Sequence, residues 1–138
     1  FGAPVMPLHP GVYANMLTDK INNCDVKVWL VNTGWIGGPF GVGKRISLKY
    51  TRNIIDAVNN GELHKLNHGK YREHSIFKFK IPIVCPKVPS NILSQKEMWK
   101  DDKKLYNSLV DLANHFKNNF DKYKKDVSVD ALKGGPVL

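Results

Sequence analysis

The stretch Val28-Trp29-Leu30-Val31-Asn32-Thr33-Gly34-Trp35-Ile36-Gly37-Gly38-Pro39-Phe40-Gly41-Val42-Gly43-Lys44-Arg45-Ile46 decides the fold class. Its apolar, partly β-branched opening reads as a buried strand. The strand empties into clustered glycines, which let a backbone turn sharply and come close to a ligand. Lys44 and Arg45 follow at once, and adjacent cations suit a phosphate or nucleotide. The order strand, glycine loop, cations predicts an α/β protein with a nucleotide site at the carboxyl end of a strand. The same residues also read as a glycine loop that simply joins two strands.

Gly38 to Arg45 fits G-x-x-x-x-G-K but not the phosphate-binding loop of the Walker A type. That loop needs Ser or Thr after the lysine to help hold magnesium. Arg45 has only donors and cannot ligate a metal. The motif also needs a helix immediately afterwards, whereas Arg45 to Tyr50 alternates apolar and polar as a short strand does.

Composition narrows the function classes. The 138 residues carry a net charge of +9, which invites a nucleic-acid reading. The charge is almost wholly lysine, with three arginines, Arg45, Arg52 and Arg72. Specific recognition of bases and phosphates leans on the planar arginine fork. Scattered lysines beside Asn and Asp, as in Lys117-Asn118-Asn119, read instead as a solvated face. A basic nucleic-acid-binding module is therefore the alternative reading. No apolar run approaches the ~18 residues of a membrane span. Cys24 and Cys85 lack metal spacing and read as reduced, buried thiols of a cytosolic protein.

Periodicity predicts a helix from Pro10 to Asn23, with Tyr13, Ala14, Leu17 and Ile21 on one side. Val26 to Val31, apolar on both faces apart from Lys27, predicts an interior strand. A second helix is expected from about Thr51, near its N-cap, to Asn60, with Gly61 as a left-handed stop. Ser75 to Val84 alternates as a half-exposed strand broken at Pro82. Pro86 and Pro89 mark a turn, and Ser94 with Glu97 has capping-box spacing. Leu105, Leu109, Leu112, Phe116, Phe120 and Tyr123 form the core stripe of a long C-terminal helix. Asp101 and Asp102 complement its dipole at one end, and Lys124 and Lys125 at the other.

Chemistry-bearing clusters are few. His64 and His68 are spaced for one helix face, yet Gly61 and Gly69 bracket a loop-like stretch and no further ligand completes a metal site. His9, before Pro10, reads as structural. Lys44 is either a phosphate neighbour or a solvated loop charge, and Arg52 is a solvated helix residue. The chain opens on Phe1 without a leader, and its few strands cannot flank an interior strand, so it is expected to be a piece of a longer protein.

Phe1 to Pro10, Leu30 to Trp35, Gly43 to Ser47 and Tyr50-Thr51-Arg52 together resemble the C-terminal part of ATP-dependent phosphoenolpyruvate carboxykinase. Asn60-Gly61-Glu62-Leu63, the Cys85-Pro86-Lys87-Val88-Pro89 turn and the closing Gly135-Pro136-Val137-Leu138 continue the resemblance. It implies that residues 1–138 are an incomplete C-terminal, nucleotide-binding α/β domain, with few strands, flanking helices and a long C-terminal helix. It also implies a cytoplasmic carboxy-lyase of gluconeogenesis that converts oxaloacetate and ATP to phosphoenolpyruvate, ADP and carbon dioxide. In the family the motif's arginine, the next residue and the threonine six positions after the arginine line the ATP pocket. Carried over by position, these are Arg45, Ile46 (mainly through its backbone) and Thr51. On the residues alone they are a surface arginine, a strand isoleucine and an N-cap threonine. The family's phosphate loop, its Mg or Mn ligands and the arginines that hold oxaloacetate lie upstream. The resemblance thus implies ATP and oxaloacetate as partners, without nucleic acid or membrane, and no catalytic or metal residue in this chain.

Overall fold

The computed structural model describes residues 3–138, so Phe1 and Gly2 of the expected domain lie outside the described residues. The helices are α1 (Pro10–Asn23), α2 (Leu48–Asn59), α3 (Glu62–Leu66), α4 (Gln95–Met98), α5 (Asp102–Phe120) and α6 (Val129–Lys133). Two antiparallel ribbons pair β1 (Trp35–Ile36) with β2 (Lys44–Arg45), and β3 (Tyr71–Glu73) with β4 (Lys80–Pro82). The chain is thus a mixed helix and sheet structure with a long helix near its C-terminal end.

Helix α1 starts at Pro10 as expected, because His9 caps it: its Nδ1 accepts the Gly11 N–H at 3.1 Å. Its apolar side is poorly covered, with Leu17 and Ile21 exposed. The largest departure from expectation follows it. Val26 to Val31 joins no strand, and Leu30 is 77 % exposed. An interior strand draws its ladder from neighbours on both sides, and among the described residues no strand pairs with this segment. Total accessible surface is 10615 Å². A compact monomer of 15.6 kDa exposes only about 7,300 Å². The excess shows that the chain is packed less closely than a compact monomer of its mass.

The core that does form joins Ala57 of α2, Leu63 of α3, Cys85 and Val88, with Trp29, Tyr50, Ile54, Val58, Ile92 and Leu93 packed around it. Gly61 separates the two helices at φ +76, the left-handed stop its position predicts. The loop-like reading of the next stretch is corrected, since Glu62–Leu66 is helical. At the centre sits Asn67, fully buried. Its Oδ1 accepts the Ile83 and Val84 N–H groups at 2.8 and 3.0 Å. Its Nδ2 donates to the Leu63 and Val84 carbonyls at 2.9 and 2.6 Å.

The expected strand from Ser75 to Val84 is also shorter than its alternation suggests, because only Lys80–Pro82 pairs, against Tyr71–Glu73. His74 curls the chain between them. Its Nδ1 accepts the Ile76 and Phe77 N–H groups, and Lys78 turns at φ +57. The capping-box spacing holds, with Ser94 Oγ accepting the Glu97 N–H at 3.4 Å. Helix α5 is capped by Asp101, whose Oδ1 accepts the Lys104 N–H at 3.0 Å. Its stripe is only partly core: Leu105 is buried, but Leu112 and Phe116 are exposed, and Ala113, outside the stripe, is buried. Lys124 and Lys125 lie in a separate 3-10 turn beyond the helix, not at its end.

The two thiols differ from the expectation of a buried pair. Cys24 is exposed and Cys85 buried. Burial pushes the Cys85 thiol up, and the Glu62 carboxylate adds to the rise. The thiolate is the reactive form, so iodoacetamide at mildly alkaline pH is expected to label Cys24 first. Mass spectrometry of the folded chain checks this; equal labelling of Cys85 would contradict the packing. Among the described residues no helix is long and apolar enough to cross a membrane.

Candidate functional site

The glycine loop is a tied turn. Trp35 pairs with Arg45 and Ile36 with Lys44 across β1 and β2. Within the loop, the Val42 and Gly43 N–H groups both donate to the Pro39 carbonyl, at 3.0 and 2.9 Å. A Cβ at Gly43 would collide with the Gly38 and Ile36 carbonyl oxygens, so only glycine fits that approach. Beyond the ribbon, the Ile46 N–H donates to the Gly34 carbonyl at 3.0 Å. Two of the loop amides, those of Val42 and Gly43, are therefore occupied within the turn.

The strand expected from Arg45 to Tyr50 stops at Arg45, and α2 starts three residues later at Leu48. Ser47 is its N-cap by geometry, and the Ser47 carbonyl accepts the Tyr50 and Thr51 N–H groups at 3.0 and 3.1 Å. Thr51 thus belongs to the first turn of α2 instead of capping it. A helix does follow the loop closely, yet the Walker A pattern still fails, for Arg45 stands in the hydroxyl's place.

Arg45 is exposed, while Ile46 and Thr51 are half-buried. Ile46 is locked by its own backbone to Gly34, which brings Arg45, Ile46 and the head of α2 into one short junction. Side chains of adjacent strand residues point to opposite faces. Arg45 therefore shares a face with Trp35, and Lys44 shares the other with Ile36. The two neighbouring cations do not form one clamp, so only Arg45 belongs to the junction face. Arg52, one residue past Thr51, is exposed on α2 as a solvated side chain.

On the same face lies a feature that sequence reading passed over. The rings of Trp35 and Phe40 meet edge-on, with centroids 5.2 Å apart. The signal was available in principle, since pairing Trp35 with Arg45 follows once the hairpin register is known.

The other polar clusters are occupied with the fold. His9 Nε2 faces Asp126 Oδ2 at 3.5 Å, so His9 ties the start of α1 to the C-terminal turns. His64 and His68 come together edge-to-face at 5.8 Å, and the Tyr71 hydroxyl lies 3.4 Å from His64 Nδ1. Among the described residues no three His, Cys, Asp or Glu side chains gather as metal ligands. A cavity of about 390 Å³ opens elsewhere, between the β3–β4 ribbon and the start of α5. Arg72 at its wall donates to Ser94 Oγ and the Leu93 carbonyl at 3.1 and 3.3 Å. His74 Nδ1 accepts two backbone N–H groups, which leaves its proton on Nε2, facing Gln95 Oε1 at 3.3 Å. These groups hold the hairpin to α4.

Comparison with known proteins bears on the family of the chain. A family model described as phosphoenolpyruvate carboxykinase matches residues 1–91. The chain is 48 % identical over 138 residues to a phosphoenolpyruvate carboxykinase (ATP) of Flavobacterium johnsoniae, covering 99 % of this chain and 25 % of that protein. It is 48 % identical over 136 residues to the protein of the same name from Caldanaerobacter subterraneus, and 46 % over 138 residues to that of Bacillus anthracis, with the same coverage. The chain thus spans about a quarter of the length of the curated relatives it matches.

Proposed function

This chain belongs to the phosphoenolpyruvate carboxykinase family, and from that premise we propose that it is the C-terminal part of an ATP-dependent carboxykinase. That enzyme converts oxaloacetate and ATP to phosphoenolpyruvate, ADP and carbon dioxide in the cytoplasm, in the service of gluconeogenesis. Residues 1–138 contribute part of its nucleotide-binding domain. Arg45, Ile46 and Thr51 form one wall of the ATP site. A divalent metal, Mg or Mn, takes its ligands from the rest of that enzyme.

The observation that carries this reading is the loop–helix junction. The Ile46 backbone is tied to Gly34, Arg45 stands exposed beside it, and Thr51 lies in the first turn of the helix that follows. A guanidinium at such a point can donate to phosphate or ribose oxygens, or lie over a base.

The test is nucleotide affinity in the complete polypeptide that carries this sequence. Arg45→Ala is expected to weaken ATP binding by roughly 1–3 kcal/mol, the scale of a charge-assisted hydrogen bond. Arg45→Lys should recover only part of the loss, since lysine keeps the charge without the planar fork. Arg52→Ala should bind ATP nearly as the parent does. Unchanged melting temperatures would exclude unfolding, and parent-like affinity in Arg45→Ala would reduce the loop to a structural connection.

A further inference from the structure

His64 lies in α3 and His68 in the turn that follows, and the fold brings their rings together at 83°, with centroids 5.8 Å apart. Two imidazoles on one tetrahedral zinc place their ring centres about 5 Å apart, since each ligating nitrogen lies about 2 Å from the metal. The pair therefore stands close to chelating distance, and the exposed His68 closes the remainder by a small side-chain rotation. The Tyr71 hydroxyl lies 3.4 Å from His64 Nδ1. An Nδ1–H donated to that oxygen leaves the lone pair on Nε2, the way an outer partner orients a metal-binding histidine. Among the described residues no hydrogen bond takes His64 Nε2 or either ring nitrogen of His68. The backbone beneath is firm. Asn67, between the two, is fully buried and holds four backbone partners, and Gly69 then turns the chain at φ +72.

We propose that His64 and His68 form an open binding site for a divalent late transition metal of the zinc class, with Tyr71 as the outer partner of His64. Imidazole suits zinc, copper and nickel, whereas magnesium and manganese prefer carboxylate, carbonyl and water oxygens. The site thus differs in chemistry from one that serves phosphoryl transfer, and it does not depend on the nucleotide wall. No third His, Cys, Asp or Glu gathers here among the described residues, so water completes the coordination. That makes the site exchangeable, unlike a closed four-ligand structural centre. A bound ion bridges α3 to the turn before β3, and it stabilises the folded chain by mass action.

The experiment is calorimetric titration of the complete polypeptide with zinc chloride, in excess magnesium to fill oxygen-ligand sites. A Cys24→Ser background removes the exposed thiol, which would compete for zinc. Zinc bound elsewhere is common to all variants, so the reading is the binding event that His68→Ala removes. His68→Ala and His64→Ala are each expected to weaken that event by at least about tenfold, no less than the loss of an outer partner costs. The double variant should lose little more than either single one, since the chelate is broken once. Tyr71→Phe should cause a smaller loss. Binding should weaken as pH falls, because only neutral imidazole ligates and protons compete with the metal. Zinc should raise the melting temperature of the parent more than that of His68→Ala. His68 is exposed, so its replacement leaves the fold intact and decides the matter even if His64→Ala unfolds. A zinc isotherm and melting shift in His68→Ala identical to those of the parent would overturn the site.

Discussion

The 138-residue chain by itself is expected to form no measurable phosphoenolpyruvate from oxaloacetate and ATP, a loss of many orders of magnitude against the complete enzyme. Phosphoryl transfer works by positioning and by neutralising charge on the moving phosphate, which takes a cradle of amides, divalent metal and converging cations. Here the Val42 and Gly43 amides of the glycine loop close on the Pro39 carbonyl. No three metal-ligating side chains gather among the described residues. Lys44 and Arg45 diverge to opposite faces of their ribbon. Among the described residues, Val26 to Val31, which reads as an interior strand, has no strand beside it. The measurement is coupled detection of phosphoenolpyruvate by the purified chain, with the complete polypeptide as reference. Turnover by the short chain within a few tenfold of the reference would show that the chemistry sits in these residues after all.

Local signals in the sequence were legible where the chain itself supplies the partner. Pro10 and His9 start α1, Ser94 and Glu97 mark α4, and Asp101 caps α5, because each cap is satisfied within three residues. The readings that failed depend on distant partners. Val26 to Val31 has the composition of an interior strand, but composition cannot supply a ladder. Phe77, Phe79 and Ile81 alternate like a strand, yet His74 bonds two amides and turns the backbone, which no period-two count detects. At the site, Arg45 stands out in the sequence from its place after the glycines, whereas the opposed faces of Lys44 and Arg45 emerge only with the register. Thr51 looked like a cap because its hydroxyl suits one; the carbonyl of Ser47 starts the helix earlier.

Asn67→Ala is expected to be the most damaging single substitution in the described core, costing roughly 3–5 kcal/mol, since each orphaned buried polar group costs about 1–3 kcal/mol. The sequence gives Asn67 the look of a loop residue beside His68 and Gly69. In the fold it is fully buried, and its amide meets four backbone partners: two N–H groups, of Ile83 and Val84, and two carbonyls, of Leu63 and Val84. It stands in for a strand that would otherwise pair with that segment. Asn67→Leu separates bonding from volume, for it fills the space and restores none of the bonds. If hydrogen bonding dominates, Leu should be at least as harmful as Ala in urea or thermal denaturation. A Leu variant as stable as the parent would mean that packing alone holds this centre. The consequence reaches the site. Leu63 and Cys85, whose neighbours Asn67 ties, pack against Ala57 of α2, and α2 carries Thr51 in its first turn. Loosening Asn67 should therefore free the helix on which one edge of the proposed nucleotide wall depends, and ATP affinity in the complete polypeptide should fall together with stability. Arg45, held by the β1–β2 ribbon instead, should keep its own contribution.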